Sequence, residues 1–485
     1  MLNMAVRNTN KLIREMSQKE NVRLGRLFTK KAHARLLSTL ACLPDKASLR
    51  ILDAGAGTGI LAAALLEAVC LGGKTESVTL VAYENDPLML PMLSRNLKEL
   101  RTRARRLYHV KTDVVIREES FLTSEDEGDY DLIITNPPTA LAAADSPEVK
   151  AFSPLASGET ELSALFLYRA GALLAEGGQL LASAETAFGA GVYVERLRAG
   201  LLDAAPLADL CLYPEGAALS LQKMLFLRLV KGGTPAEVSV SLVGEEGARL
   251  PLAALPYGTL VRGKAARILL VRGKEDLDVL HFVEGQRNTL ASFGLKMRTG
   301  LTLPSRYAAC ISDTPTEDAV PLLHPRGIRD GRISFPLKDG QDYLRPVIPS
   351  LKQKNKNLLL IKRVPTKQDG RHIVAAAYAA TQLPRAAYIS TNNKLNYIDF
   401  EDGREMSMPF LLGLAAVMSS SLYERYITIL NGKRQINASD YTVLPLPDER
   451  TLCAIGGQMA IVRGFSQKGV DAVVSAAFRK NGLKV

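Results

Sequence analysis

The first half of this 485-residue chain is predicted to fold as a doubly wound α/β sheet, and the second half as a separate domain of mixed α+β structure. Three observations carry the prediction. Short apolar runs alternate with helical segments from about Leu49 to Val230, the first of these runs opens into a glycine-rich turn, and the alternation ceases beyond Val230–Val238, "VKGGTPAEV". A chain of this length exceeds what one hydrophobic core sustains. The join is accordingly expected in that Gly- and Pro-bearing stretch, with domains at 1–235 and 236–485.

In order, "LRILDAGAGTGILAAALLE" is a strand, a turn and a helix, and "VTLVAYEND" is the next strand. "YDLIITNPP", "GGQLLASAE" and "LFLRLV" complete the set. Beyond the expected join, short strands such as those in "KQKNKNLLLIKR" carry flanking basic side chains, among them Lys352, Lys354 and Lys356. With 47% hydrophobic and 23% charged residues the composition is that of a soluble globular protein, and no apolar run is long enough to span a bilayer. The opening "MLNMAVRNTNKLIREM" lacks the apolar core of a secretory signal, so a cytoplasmic location is expected. The 5 cysteines form no CxxC pair and the 5 histidines add no ligand spacing, so neither a disulfide framework nor a metal site is indicated. A net charge of +11 favours a polyanionic partner.

The chemistry begins at the turn. Gly55, Gly57 and Gly59 let the backbone approach a ligand closely, which implies a nucleotide-like cofactor, either a dinucleotide or S-adenosylmethionine. Glu84, ending the following strand, stands where an acid binds ribose hydroxyls. A further strand ends at Asn136, Pro137 and Pro138. Two prolines remove two N–H donors and fix the path of the chain, leaving carbonyls rigidly aimed beside an amide side chain. Such an end accepts hydrogen bonds from a substrate NH₂. Acceptance by the Asn136 amide oxygen and the Pro137 carbonyl pyramidalises the nitrogen, aims its lone pair at a sulfonium methyl and stabilises the developing ammonium.

Together these segments resemble the amino-methylating, N6-adenine DNA methyltransferases of bacterial restriction-modification systems, in the gamma arrangement. "LGRLFTKKAHARLLSTL", Leu24 to Leu40, is similar to the family's N-terminal motif, which implies that Thr29 contacts the methionine part of the cofactor; Lys30 replaces a usual proline. The resemblance implies a Rossmann-like sheet binding S-adenosylmethionine through Asp53, Gly55, Gly57, Gly59 and Glu84, with Phe121 packing on its adenine. Ser120 stands where the family often has Asp, and Thr139 where it has an aromatic that stacks on the target base. Tyr213, in "LCLYPEGA", aligns with the family's second aromatic and is the expected stacking partner, with Phe188 or Tyr193 as alternatives.

The second half resembles the PstI/BsuBI-like group, through "SFGLKMRTGL", "VPLLHP", "NNKLNYI" and above all "LNGKRQINASDYTVLPLP". That implies a C-terminal target-recognition domain on double-stranded DNA, with Lys433, Arg434, Gln435 and Asn437 near the DNA. The implied activity is methylation of the N6 amine of an adenine flipped from the duplex. No nuclease motif stands in the chain, so cleavage would belong to a separate restriction endonuclease. Methylation at cytosine C5 needs a nucleophilic Cys, normally after Pro, and no cysteine here follows Pro. Two rivals stay open: an Asn-Pro-Pro methyltransferase acting on RNA or protein, and a DNA-binding relic weakened by Thr139 and Ser120.

Overall fold

The computed structural model describes residues 1–15, 28–156, 158–215, 217, 223–233, 235–337, 340–366, 368–432, 438–462 and 465–479. They form two compact units, Met1–Arg272 with Leu430–Gly432, and Gly273–Ile429 with Lys433–Val485.

The first unit is built on nine strands: β1 (Ser48–Ala54), β2 (Ser77–Tyr83), β3 (Lys111–Arg117), β4 (Tyr130–Thr135), β5 (Leu174–Glu185), β6 (Leu207–Leu212), β7 (Met224–Val230), β8 (Glu237–Val243) and β9 (Arg249–Pro256). Their spatial order is β9-β8-β6-β7-β5-β4-β1-β2-β3. From β3 to β5 the neighbours are parallel, and β7 runs antiparallel between β5 and β6. The chain leaves β1 toward β2 on one side and returns to β4 on the other. The carboxyl ends of β1 and β4 therefore flank the switch point, where open α/β sheets hold their ligands.

Four helices cover one side of this arrangement: α1 (Leu2–Glu15), α2 (Lys31–Thr39), α3 (Ile60–Gly72) and α4 (Leu90–Tyr108). The sequence of α3, ILAAALLEAVCLG, is apolar nearly all round because the helix is sandwiched. Leu61, Leu65 and Leu66 are buried in one core cluster with Ile51 and Leu80 of the sheet and Leu2, Leu36 and Leu97 of the other helices. Three more helices, α5 (Leu162–Ala172), α6 (Thr186–Ala190) and α7 (Glu195–Ala204), connect the later strands.

The first unit extends past the expected join at Val230–Val238. β8 pairs in parallel with β6, Ser241 opposite Cys211, and β9 pairs antiparallel with β8, so the same sheet continues beyond residue 235. Charge holds this extension in place. Asp209 on β6 is buried and is gripped by Arg228 of β7 and Arg249 of β9, while Arg249 Nε also donates to Ser241 Oγ of β8 at 3.2 Å. Two arginines share the buried carboxylate, so removing either leaves it with the other, and removing both would strand a buried charge.

The second unit contains a six-stranded sheet, in which Leu358–Lys362 lies between Leu395–Phe400 and Ala375–Tyr378, and a five-stranded sheet that includes Val320–Leu323 and Tyr388–Thr391. Helices Met408–Met418 and Glu449–Val462 pack closely through Gly413 and Gly456. Among the described residues, no helix is long and apolar enough to cross a membrane, and no group of three His, Cys, Asp or Glu could hold a metal ion.

Candidate active site

Two adjoining cavities, of about 190 and 370 Å³, run along the carboxyl edge of the sheet and share Gly55, Glu84, Asn85, Pro138 and Phe166. Their position follows from the sheet register. Asp53 lies opposite Ile134, so the glycine turn after β1 and the Asn-Pro-Pro segment after β4 leave the sheet side by side, tied by Thr135 Oγ1 donating to the Ala54 carbonyl at 2.6 Å. Phe28, Thr29, Gly57 and Asn136 line the smaller cavity, and Ser120 and Phe121 the larger.

The glycines divide by role. A Cβ on Gly57, where φ is +55°, would meet nothing within 4 Å, so this backbone borders open space. Gly59 instead faces inward: its Cβ would come within 3.0 Å of Leu93 on α4, and it does not line the cavities. Asp53 also lies beneath the turn. It is fully buried, its Oδ2 accepts from the Ala62 N–H at 2.8 Å, and Oδ1 has no partner. Burial raises this carboxyl to about 7, the Ala62 bond opposing and Glu84 reinforcing the rise. Glu84 is on the wall itself, its two oxygens accepting from the N–H groups of Gly57 and Asp86, each at 2.7 Å. Each carboxylate oxygen keeps a further lone pair for a ligand hydroxyl.

A buried polar chain braces the turn from behind. Asn8 Nδ2 donates to Asn96 Oδ1, Asn96 Nδ2 donates to the Thr58 carbonyl, each at 2.8 Å, and the Thr9 and Thr58 hydroxyls lie 2.7 Å apart. The motifs did not indicate these residues, because only the fold brings α1 and α4 to the turn. Phe166 of α5 is likewise new. Its ring centroid is 5.2 Å from that of Phe121, so two aromatic side chains contribute to the larger cavity.

Asn136 is held at both ends of its amide. Nδ2 donates to Thr29 Oγ1 at 3.1 Å, and Oδ1 accepts from the hydroxyl of buried Ser183 on β5. Pro137 is buried, Pro138 lines both cavities, and Thr139 is exposed. Tyr213 follows β6 at the same edge, but its hydroxyl is 2.7 Å from His33 Nε2, its ring lies 6.0 Å from that of Phe226, and it lines neither cavity. Burial, followed by the neighbouring charge of Lys30, lowers the pKa of His33 and favours its neutral form. Phe188 is buried, whereas Tyr193 is 94% exposed.

In the second unit Lys352 stands over the Tyr388 ring at 4.7 Å, and Lys354 is exposed. Lys356 differs from these two. Its Nζ pairs with Asp399 at 2.7 Å, beside Arg298, so its charge neutralises a buried carboxylate. Lys433, Arg434, Gln435 and Asn437 lie outside the described residues.

Aromatic rings at the larger cavity, carboxylate acceptors at Glu84, an open glycine cradle, and Thr29 with Asn136 beyond would suit an elongated cofactor with an adenosine end and an amino-acid end. The methyltransferase small domain family matches residues 32–197. Over 453 residues the chain is 24% identical to the type II methyltransferase M.PstI of Providencia stuartii, covering 88% of each chain. It is 22% identical over 461 residues to the type II methyltransferase M.BsuBI of Bacillus subtilis, covering 90% of each. In fold it is similar to the type IIL restriction-modification enzyme MmeI, solved in complex with DNA, with a TM-score of 0.56 at 11% identity over 100% of this chain and 75% of that one. The chain is homologous to the type II methyltransferases M.PstI and M.BsuBI and carries a Rossmann-like methyltransferase sheet, for which S-adenosylmethionine is the cofactor.

Proposed function

We propose that this DNA methyltransferase acts on the N6 amine of an adenine rotated out of duplex DNA, in the cytoplasm, as the modification enzyme of a restriction-modification system or as an orphan. A separate restriction endonuclease is the proposed partner in the first case. The observation that carries this reading is the grip on Asn136 at the edge of the cofactor cleft. One lone pair of its Oδ1 is taken by Ser183, leaving the other for a substrate N–H. Thr29 holds Nδ2, so the amide is oriented before substrate arrives.

When bound, S-adenosylmethionine supplies an electrophilic methyl group. The protein's part is to make an amine conjugated to a ring nucleophilic. Acceptance by Asn136 Oδ1 and the Pro137 carbonyl draws the two N–H bonds out of conjugation and directs the lone pair into the cleft. As positive charge develops on the nitrogen, the same two dipoles stabilise it, and the proton leaves afterwards to solvent. Tyr213 is the proposed stacking partner for the flipped base, with its hydroxyl anchored by His33 and its ring replacing the aromatic absent at Thr139. The second unit is the proposed target-recognition domain, with Lys352 and Lys354 contacting phosphates and Lys433, Arg434, Gln435 and Asn437 near the bases.

Asn136→Ala is expected to lower the rate of methyl transfer to duplex DNA at least about 100-fold, the scale of removing one preorganised polar group at a reacting centre. Calorimetric affinity for S-adenosylmethionine should stay within a few-fold of wild type. Full methylation by the variant would contradict the proposal.

A further inference from the structure

We infer that Tyr193 is a wedge for duplex DNA, its ring entering the base stack at the place vacated by the target adenine. This inference rests on the function proposed above. Tyr193 lies between α6 and α7, beyond the carboxyl end of β5. That end adjoins the end of β4, as the register Thr135 opposite Ala182 and the Ser183–Asn136 bond require. The Tyr193 side chain is 94% exposed and the preceding Val192 is 46% exposed. A single exposed aromatic is common enough; this one is carried by a backbone held from several directions.

The hold comes from Arg198 on α7, whose side chain is wholly buried. Its Nη1 donates to the carbonyls of Phe188 at 2.8 Å and Gly191 at 2.9 Å, both within the segment that leads to Tyr193. Its Nε and Nη2 donate to the Ala265 carbonyl at 2.9 and 2.7 Å, and Nε also reaches the Ala266 carbonyl at 3.1 Å. Backbone bonds from Gly191 to Ala187 at 2.7 Å and from Glu195 to the Val192 carbonyl at 3.2 Å close the turn on either side. Burying a guanidinium among carbonyls is costly unless each donor is used, and here the donors fix the loop. The result is a rigid backbone presenting a free ring.

Extruding a nucleotide leaves a gap whose closure would return the base to the stack. Enzymes and architectural proteins that deform duplexes fill such gaps with apolar or aromatic side chains. A ring on a fixed backbone does this with little ordering cost. Val192 would accompany the ring against the sugar edge. The division of labour is then between Tyr213, for the flipped adenine, and Tyr193, for the duplex left behind.

The test uses the full chain and a duplex carrying the site that single-molecule sequencing finds methylated in cells expressing the gene, with 2-aminopurine at the target position. Tyr193→Ala is expected to lose the fluorescence rise that reports extrusion and to bind this duplex at least about 10-fold more weakly, while binding S-adenosylmethionine like wild type. Tyr193→Phe and Tyr193→Trp should keep both signals, because stacking needs the ring and not the hydroxyl. Wild-type fluorescence and affinity in Tyr193→Ala would overturn the inference, as would an equal loss in Tyr193→Phe. If the wild-type chain bound the cofactor yet neither bound nor methylated any duplex, the proposed function itself would fail, and this inference with it.

Discussion

Asp53 and Glu84 end neighbouring strands and carry the same ionisable group, yet they stand in opposite environments. Glu84 is half-buried and accepts two backbone N–H groups, whereas Asp53 is fully buried with one oxygen unpartnered. Burial, the largest cause, takes the Asp53 carboxyl from 3.8 to about 7. The folded form therefore binds more protons than the unfolded chain between these values, and stability falls as pH rises through about 7. From about pH 5.5 to 7.5 this single group should remove about 2 kcal/mol, and Asp53→Asn should flatten that decline in denaturation measurements without cofactor. An unchanged pH slope in the variant would refute the assignment. At this scale the positions that the sequence motifs single out come together in space: Thr29, Gly55, Gly57, Glu84, Ser120, Phe121, Asn136 and Pro138 all border the cleft. It was silent on Ser183, His33 and Asn96, ordinary residues in the chain that acquire a role only through what faces them. Lys356 went the other way, because the carboxylate it neutralises lies on a strand remote in sequence.

Among the elements, strands with long apolar runs and a following turn were legible, since burial on both faces leaves little else for such segments to be. β8 and β9 were harder. "VKGGTPAEV" has the composition of a linker, and what keeps the next strand in the first sheet is its parallel pairing with β6, braced by Asp209 and its two arginines on β6, β7 and β9. Long-range ion pairs leave no local pattern. In the second unit, the helix pair Met408–Met418 and Glu449–Val462 makes its own prediction from two adjacent glycines. A Cβ on Gly456 would lie 1.7 Å from the Pro409 carbonyl oxygen, whereas one on Gly457 would meet nothing within 4 Å. Gly456→Ala should therefore cost about 1–3 kcal/mol by forcing the helices apart. Gly457→Ala should be neutral or stabilise by up to about 1 kcal/mol through helix propensity. Thermal unfolding of the two variants checks this, and equal midpoints would contradict the close packing.

For the molecule as a whole, a net charge of +11 matters through its partner. If the second unit grips phosphates with Lys352 and Lys354, replacing both by Ala should weaken binding to every duplex alike. It should also reduce the slope of log affinity against log salt by about 1 to 2, one increment for each phosphate no longer neutralised. Lys356→Ala differs in kind, because it leaves the buried Asp399 with Arg298 as its remaining cationic partner, and its effect should appear as reduced stability. Binding isotherms across a salt series, with a melting curve for each variant, separate these outcomes.

The chemistry is tested most directly by the identity of the methylated nucleoside. Duplex DNA incubated with the wild-type chain and isotopically labelled S-adenosylmethionine, then digested and resolved by mass spectrometry, should yield label as N6-methyl-2′-deoxyadenosine, with that product all but absent in Asn136→Ala. Label on a cytosine nitrogen or carbon, or undiminished N6-methyladenine from Asn136→Ala, would contradict the account.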